Sequence, residues 1–156
     1  MQPQKGDQWY KASWRLIRMS KLYTAIIGHE KLTAIYGQWP TFHDAEIVSI
    51  HFDRGEGRPL NSPSITVLIH VFRIDVTPDA SNRDDRIAAL HFRGVESVRL
   101  CYFNNQNSIL GFGFLQHYCE RLRRQVFDVE IPAASGAEFS FQCNAIEVLS
   151  IEPMNN

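Results

Sequence analysis

Apolar residues recur at three- and four-residue steps from Ser20 to Tyr36: Leu22, Tyr23, Ile26, Ile27, Leu32 and Ile35. That is the period of an amphipathic helix. Gly28 weakens the segment and can split it into two shorter turns. Gly37 stands where a C-terminal glycine cap belongs, and Pro40 forbids continuation. Past Pro40 the period changes to two. Glu46, Val48, Ile50 and Phe52 alternate with Ile47, Ser49 and His51, which predicts a strand. "RGEGRPLNSP" then reads as a loop. In "SITVLIHVFRI" Ile65, Val67, Ile69 and Val71 share one face, while Leu68, Phe72 and Ile74 load the other. Apolar residues on both faces predict a strand near a sheet centre.

The polar run Asp75–Asp85, with Pro78, predicts a second loop. "IAALHFR" is a strand that Gly94 breaks, and "VESVRLCYF" resumes it with Val98, Leu100 and Tyr102 together. Asn104–Asn107 is a turn. "SILGFGFLQHY" is a strand with Gly111 and Gly113 on one face, where glycines thin a sheet or admit a close neighbour. "RQVFDVEI", "GAEFSFQC" and "AIEVLSIEP" complete the pattern, with "PAASG" as the turn between the first two. The short links favour antiparallel neighbours, since a parallel crossover takes about a dozen residues. The expected fold is α+β: an N-terminal helix packed on a curved, mostly antiparallel meander of roughly seven or eight strands. Periodicity does not distinguish a closed barrel from a sandwich or an open sheet.

Length and composition fit one domain with a real core. At 156 residues the chain buries roughly 70% of its unfolded surface. Residues 1–18 look unlike the rest and read as an extension, with the compact domain covering 19–156. Trp9, Trp14, Leu16 and Ile17 would let part of that extension dock. No stretch approaches the ~18 apolar residues of a membrane span, and no apolar run follows the N-terminal cations as a secretory signal requires. Cys101, Cys119 and Cys143 are odd in number and widely spaced, which points to a reduced, cytoplasmic protein. Net charge is −1, with Lys5, Lys11, Arg15 and Arg18 against Asp7 in the extension. The body is therefore mildly acidic, which argues against a basic nucleic-acid-binding face.

Chemistry-bearing motifs are few. "WPTFHDA", Trp39–Ala45, holds an adjacent His43–Asp44 pair. Such a pair serves metal-dependent hydrolases that supply further His and Asp ligands from helices, but this chain is mostly strand after residue 40. His51 is a nearby recruit, yet strand alternation puts it on the face opposite Glu46 unless a bulge intervenes. The competing reading is a corner: Asp44 accepting backbone N–H groups, with Trp39 and Phe42 plugging the sheet edge. No nucleophile elbow, phosphate loop or dinucleotide fingerprint occurs. Asp128 and Glu130 share a strand face as solvated carboxylates often do. His29, His70, His91 and His117 are dispersed. "FNNQN" offers uncharged donors and acceptors at a strand end, where asparagine closes turns.

Three stretches, "YGQWPTFHDAEIVSI", "LHFRGVESVRLCYFNNQNSI" and "AIEVLSIEP", together resemble the immunity protein 50 family, bacterial proteins found beside polymorphic toxins. In that family a helix leads into a Trp-Pro-x-Phe-His-Asp-Ala-Glu-like segment. An Asn-Gln-Asn turn and a terminal Ile-Glu-Val-x-Ser strand come later. The likeness spans Leu22 to Pro153, and the first segment is its most specific part. It implies a non-enzymatic protein without cofactors, which binds and neutralises a cognate protein toxin in the cytoplasm. The shared positions are Trp39, Phe42, His43, Asp44, Glu46, Asn104, Gln106 and Asn107. Toxins differ among family members, so shared positions are expected to make the fold. Charged residues of the loops Gly55–Pro63 and Asp75–Arg86, among them Arg58, Arg83 and Asp79, with Arg54 beside the first loop, would carry specificity. Two other readings remain: a small metal-dependent hydrolase using His43 and Asp44, and a small-molecule carrier if the meander encloses a cavity.

Overall fold

The computed structural model describes residues 22–55, 62–72 and 85–154. The expected extension, most of both variable loops, and Arg58, Asp79 and Arg83 lie outside the described residues. A short 3-10 turn, Tyr23–Ala25, precedes a seven-residue helix, α1, Glu30–Tyr36. Eight strands follow: β1 Glu46–Asp53, β2 Ser64–Val71, β3 Arg86–Arg93, β4 Glu96–Cys101, β5 Gly113–Cys119, β6 Arg124–Ile131, β7 Glu138–Cys143 and β8 Ala145–Pro153. They form two four-stranded sheets, in the orders β1-β2-β3-β8 and β4-β7-β6-β5. Neighbouring strands pair antiparallel throughout both sheets.

One feature differs from the reading of the sequence. The strands make two separate sheets, not one strongly curved meander. The helical stretch splits at Gly28, as its position allows: Gly28 adopts φ +73 and ends the first turn before α1 begins. At that break Ile27 runs briefly parallel to β8: its N–H donates to Ile146 O, and its carbonyl accepts from Val148 N. Lys31 Nζ donates to the carbonyls of Val148 and Leu149. The edge of β8 is thereby covered, which removes one template for strand addition. Gly37 closes α1 in the left-handed conformation at φ 74, as its position leads one to expect.

The chain changes sheets at two neighbouring points. Gly94 (φ +65) turns β3 into β4, and Asn144 returns β7 into β8 with its N–H on Arg93 O at 2.8 Å. Alternation then fills the space between the sheets. Ile65, Val67, Ile69 and Val71 of β2 face Phe139, Phe141 and Cys143 of β7 and Phe127, Val129 and Ile131 of β6 within one core. Phe92 on β3 meets Phe141 edge-on, with ring centroids 4.8 Å apart. The interior is packed with phenylalanine, which leaves the carrier reading without support.

β1 carries a bulge between Ile47 and Ser49. The extra residue reverses the side-chain parity. Ile47, Ile50 and Phe52 lie opposite Ile69, Val67 and Ile65, so all three share the core face. Glu46 and His51 lie opposite His70 and Thr66, so the bulge also puts these two on one outer face. They still do not converge, because His70 and Thr66 are two same-face steps apart along β2.

Candidate functional site

The residues singled out by sequence come together where the corner before β1 meets the segment between β4 and β5. Trp39 is half-buried and lies against the core. Its ring stacks on Tyr23 at 5.9 Å and meets Phe42 edge-on at 5.7 Å. Phe112 and Phe114 lie 6.5 Å from it. Phe42 is buried, with its backbone at φ 56. Trp39 therefore links the N-terminal turn to the inter-sheet core through aromatic edges and faces, which favour this offset geometry.

His43 and Asp44 point outward. The His43 Nδ1–Asp44 Oδ2 distance is 3.0 Å, with side chains 60% and 65% exposed. An exposed pair of this kind contributes little to stability. Asp44 does its structural work through its backbone. It sits at φ 63, a left-handed conformation that aspartate tolerates better than most residues. Its N–H donates to Ile109 O at 3.0 Å. The expected role for Asp44, a carboxylate collecting backbone N–H groups, is not what the carboxylate does, since it faces the His43 ring. Among the described residues no three His, Cys, Asp or Glu side chains gather as metal ligands would.

From Asp44 onward the corner is stitched to the β4–β5 segment. Ile109 N–H donates to Ala45 O, and Ile47 N–H to Asn107 O, each at 2.9 Å. Glu46 Oε1 accepts the N–H of Asn107 at 3.3 Å. Beyond that point the segment is also tied to the residues after β6. Leu110 N–H donates to Pro132 O at 2.8 Å, and Ala134 N–H to Ser108 O at 2.9 Å.

Asn107 is the centre of this knot and only 3% exposed. Its Oδ1 accepts the N–H of Asn104 at 2.9 Å and that of Ala137 at 3.2 Å. Its Nδ2 donates to Asn104 O at 2.6 Å. Asn104 in turn accepts the Gln106 N–H on Oδ1 at 2.7 Å and donates from Nδ2 to Tyr102 O at 3.1 Å. The asparagines thus take backbone groups that no strand ladder reaches. Gln106 contributes its backbone, and its side chain is exposed. Gly136 is required beside the knot. It holds φ +76, and a Cβ there would lie 2.3 Å from Gln106 O and 2.7 Å from Asn107 Oδ1.

All eight positions singled out by sequence, from Trp39 to Asn107, therefore belong to one corner, where Glu46, Asn104 and Asn107 hold backbone with their side chains and Trp39 and Phe42 pack into the core. Sequence reasoning missed Gly136 and Ala137, which close the knot from the far side. It also placed Tyr102 in a strand beside Leu100. In the structure β4 ends at Cys101, and Tyr102 leaves the sheet at φ 61.

Other polar groups lie away from this corner. His117 Nε2 and Asp128 Oδ2 are 2.9 Å apart on the outer face of the second sheet, and Gln142 donates to Asp128 Oδ1 at 2.9 Å. Arg121 contacts Glu96 at 2.6 Å, and that carboxylate pushes the guanidinium pKa further up. Burial pushes the Cys143 thiol up to about 12, which makes it a neutral core filler with little thiolate. No described helix is long and apolar enough to cross a membrane.

A family model described as immunity protein 50 matches residues 28–154. No curated protein and no solved structure matches the chain.

Proposed function

The chain belongs to the immunity protein 50 family, and from that premise we propose that it binds and neutralises a cognate protein toxin in the cytoplasm of a bacterial cell. The toxin would belong to a polymorphic toxin system, and the chain would protect the cell that makes it together with its kin. The match over residues 28–154 is the observation that carries this reading. The role is stoichiometric occlusion: the chain covers a surface of the toxin and performs no chemistry of its own.

The geometry of the corner supports a scaffold of this kind. Its family-shared residues bond chiefly to backbone or pack into the core, leaving the exterior free to vary with the toxin. Neither the hydrolase nor the carrier reading is favoured by any feature described above. Co-expression tests the proposal. Cells producing the toxin encoded beside this gene should grow when the chain is supplied, and tagged chain should recover the toxin as a complex. Continued toxicity, with no complex recovered from cells containing folded chain, would overturn it.

A further inference from the structure

The knot around Asn107 holds something out to solvent. Tyr102 is 76% exposed and Phe103 48% exposed, side by side, immediately after β4. Tyr102 sits at φ 61, a costly conformation for a bulky side chain. The backbone that follows is fixed at short range: Tyr102 O is held by Asn104 Nδ2, and Asn104 by Asn107, which is itself anchored to Ala137. Two large aromatic surfaces are thus displayed on a loop that is already ordered. Binding through such a loop avoids most of the cost of ordering it. Exposed tyrosine on a rigid support is also a favoured hot-spot residue at protein interfaces.

The surroundings give the partner's charge. Glu138 lies directly opposite Cys101 in the β4–β7 ladder. Glu130 and Glu138 line one shallow depression with Arg99. Among the residues that line this depression, two carboxylates stand against one arginine. Asp44, at the corner before β1, and Glu46, at its start, are stitched to residues 107–109, with their carboxylates on His43 and the Asn107 N–H. Of the other exposed aromatics among the described residues, Phe52 leans on Phe139 at 6.2 Å and Phe72 on His70 at 4.0 Å, while Tyr118 is a single ring on the edge strand β5.

We propose that Tyr102 and Phe103 are the anchor by which this chain grips its toxin, and that the toxin presents an apolar pocket rimmed by lysine or arginine. This rests on the toxin-neutralising reading and adds to it the contact surface and the chemistry of the opposing face. The aromatic pair fills the pocket, and the carboxylates steer the encounter and fix its orientation.

Surface plasmon resonance with the full chain and the purified toxin domain encoded by the adjacent gene tests it. Tyr102→Ala and Phe103→Ala should each raise Kd about 30-fold or more, chiefly through faster dissociation. Glu130→Gln with Glu138→Gln should slow association at low salt and flatten its salt dependence. Leu149→Ala, on the opposite edge of the fold, should bind as wild type. Thermal unfolding of each variant checks that the fold is intact, as the exposure of these side chains leads one to expect. If wild type binds and both aromatic variants stay within threefold of it, the anchor is elsewhere and the neutralising role stands without it. If wild type does not bind, the neutralising role fails and the anchor fails with it.

Discussion

Replacing Asn107 by alanine removes three hydrogen bonds from one buried side chain, and their separate costs can be worked out. Ala137 N–H is fully buried, so it loses its acceptor with no water to replace it. An orphaned buried donor costs roughly 1–3 kcal/mol. The Asn104 N–H and C=O belong to an exposed residue and can rehydrate. Each of those losses is worth about 0.5–1.5 kcal/mol. The expected total is therefore about 4 kcal/mol, the centre of a range of roughly 2–6, and a large share of the ~5–15 kcal/mol that holds a domain together. Urea unfolding followed by tryptophan fluorescence reads it out. With a slope of ~2 kcal/mol per molar, the midpoint should fall by roughly 2 M at unchanged slope. A fall below about 0.5 M, or under ~1 kcal/mol, would mean that water or a shifted loop satisfies Ala137, and that Asn107 is not the centre of the knot.

Other expectations follow from the same geometry. Trp39→Ala should cost about 3 kcal/mol, the low end for a large aromatic because the ring is half-buried; a thermal midpoint unchanged within error would show that it does not link turn to core. Asp44→Gly should leave stability unchanged or slightly raised, while Asp44→Ala should lose ~1 kcal/mol, because only glycine is free of strain at φ 63; equal loss in both variants would point instead to the carboxylate. The Cys143 thiol is raised to about 12 in the fold, and its unfolded value is near ~8.5. Its contribution is therefore complete below pH ~8.5 and is lost, at up to ~1.4 kcal/mol per pH unit, as pH rises toward the folded value. Denaturation midpoints at pH 8 to 11 should fall more steeply for wild type than for Cys143→Ala, and parallel curves would contradict the assignment.

Much of this fold was legible because alternation is local. β2 and β8 lie where the two-residue period put them, and Gly37 and Gly94 end their elements as punctuation. Gly28, where the pattern already allows the segment to split into two turns, is a complete break, because tertiary pairing of Ile27 with β8 outweighs the helical period. The bulge in β1 could not be read, since one inserted residue leaves composition unchanged while reversing every later side chain. Nor could the division into two sheets, which depends on where Gly94 and Asn144 turn the chain. The corner was visible as two separate motifs. Their union through Glu46 and Asn107 joins residues distant in sequence, and no local pattern encodes that. Tyr102 was misplaced because an aromatic after "SVRLC" continues a strand period, and only the knot downstream pulls it out.

The central claim is that this chain works by covering a toxin one to one. Titrating a fixed amount of active toxin with the chain, and measuring residual toxin activity at each ratio, tests that claim most directly. Activity should fall linearly and reach zero at one equivalent, with no change on longer incubation. Protection by a small fraction of an equivalent that deepens with time would mean turnover, and undiminished activity at large excess would mean that the toxin is not its partner.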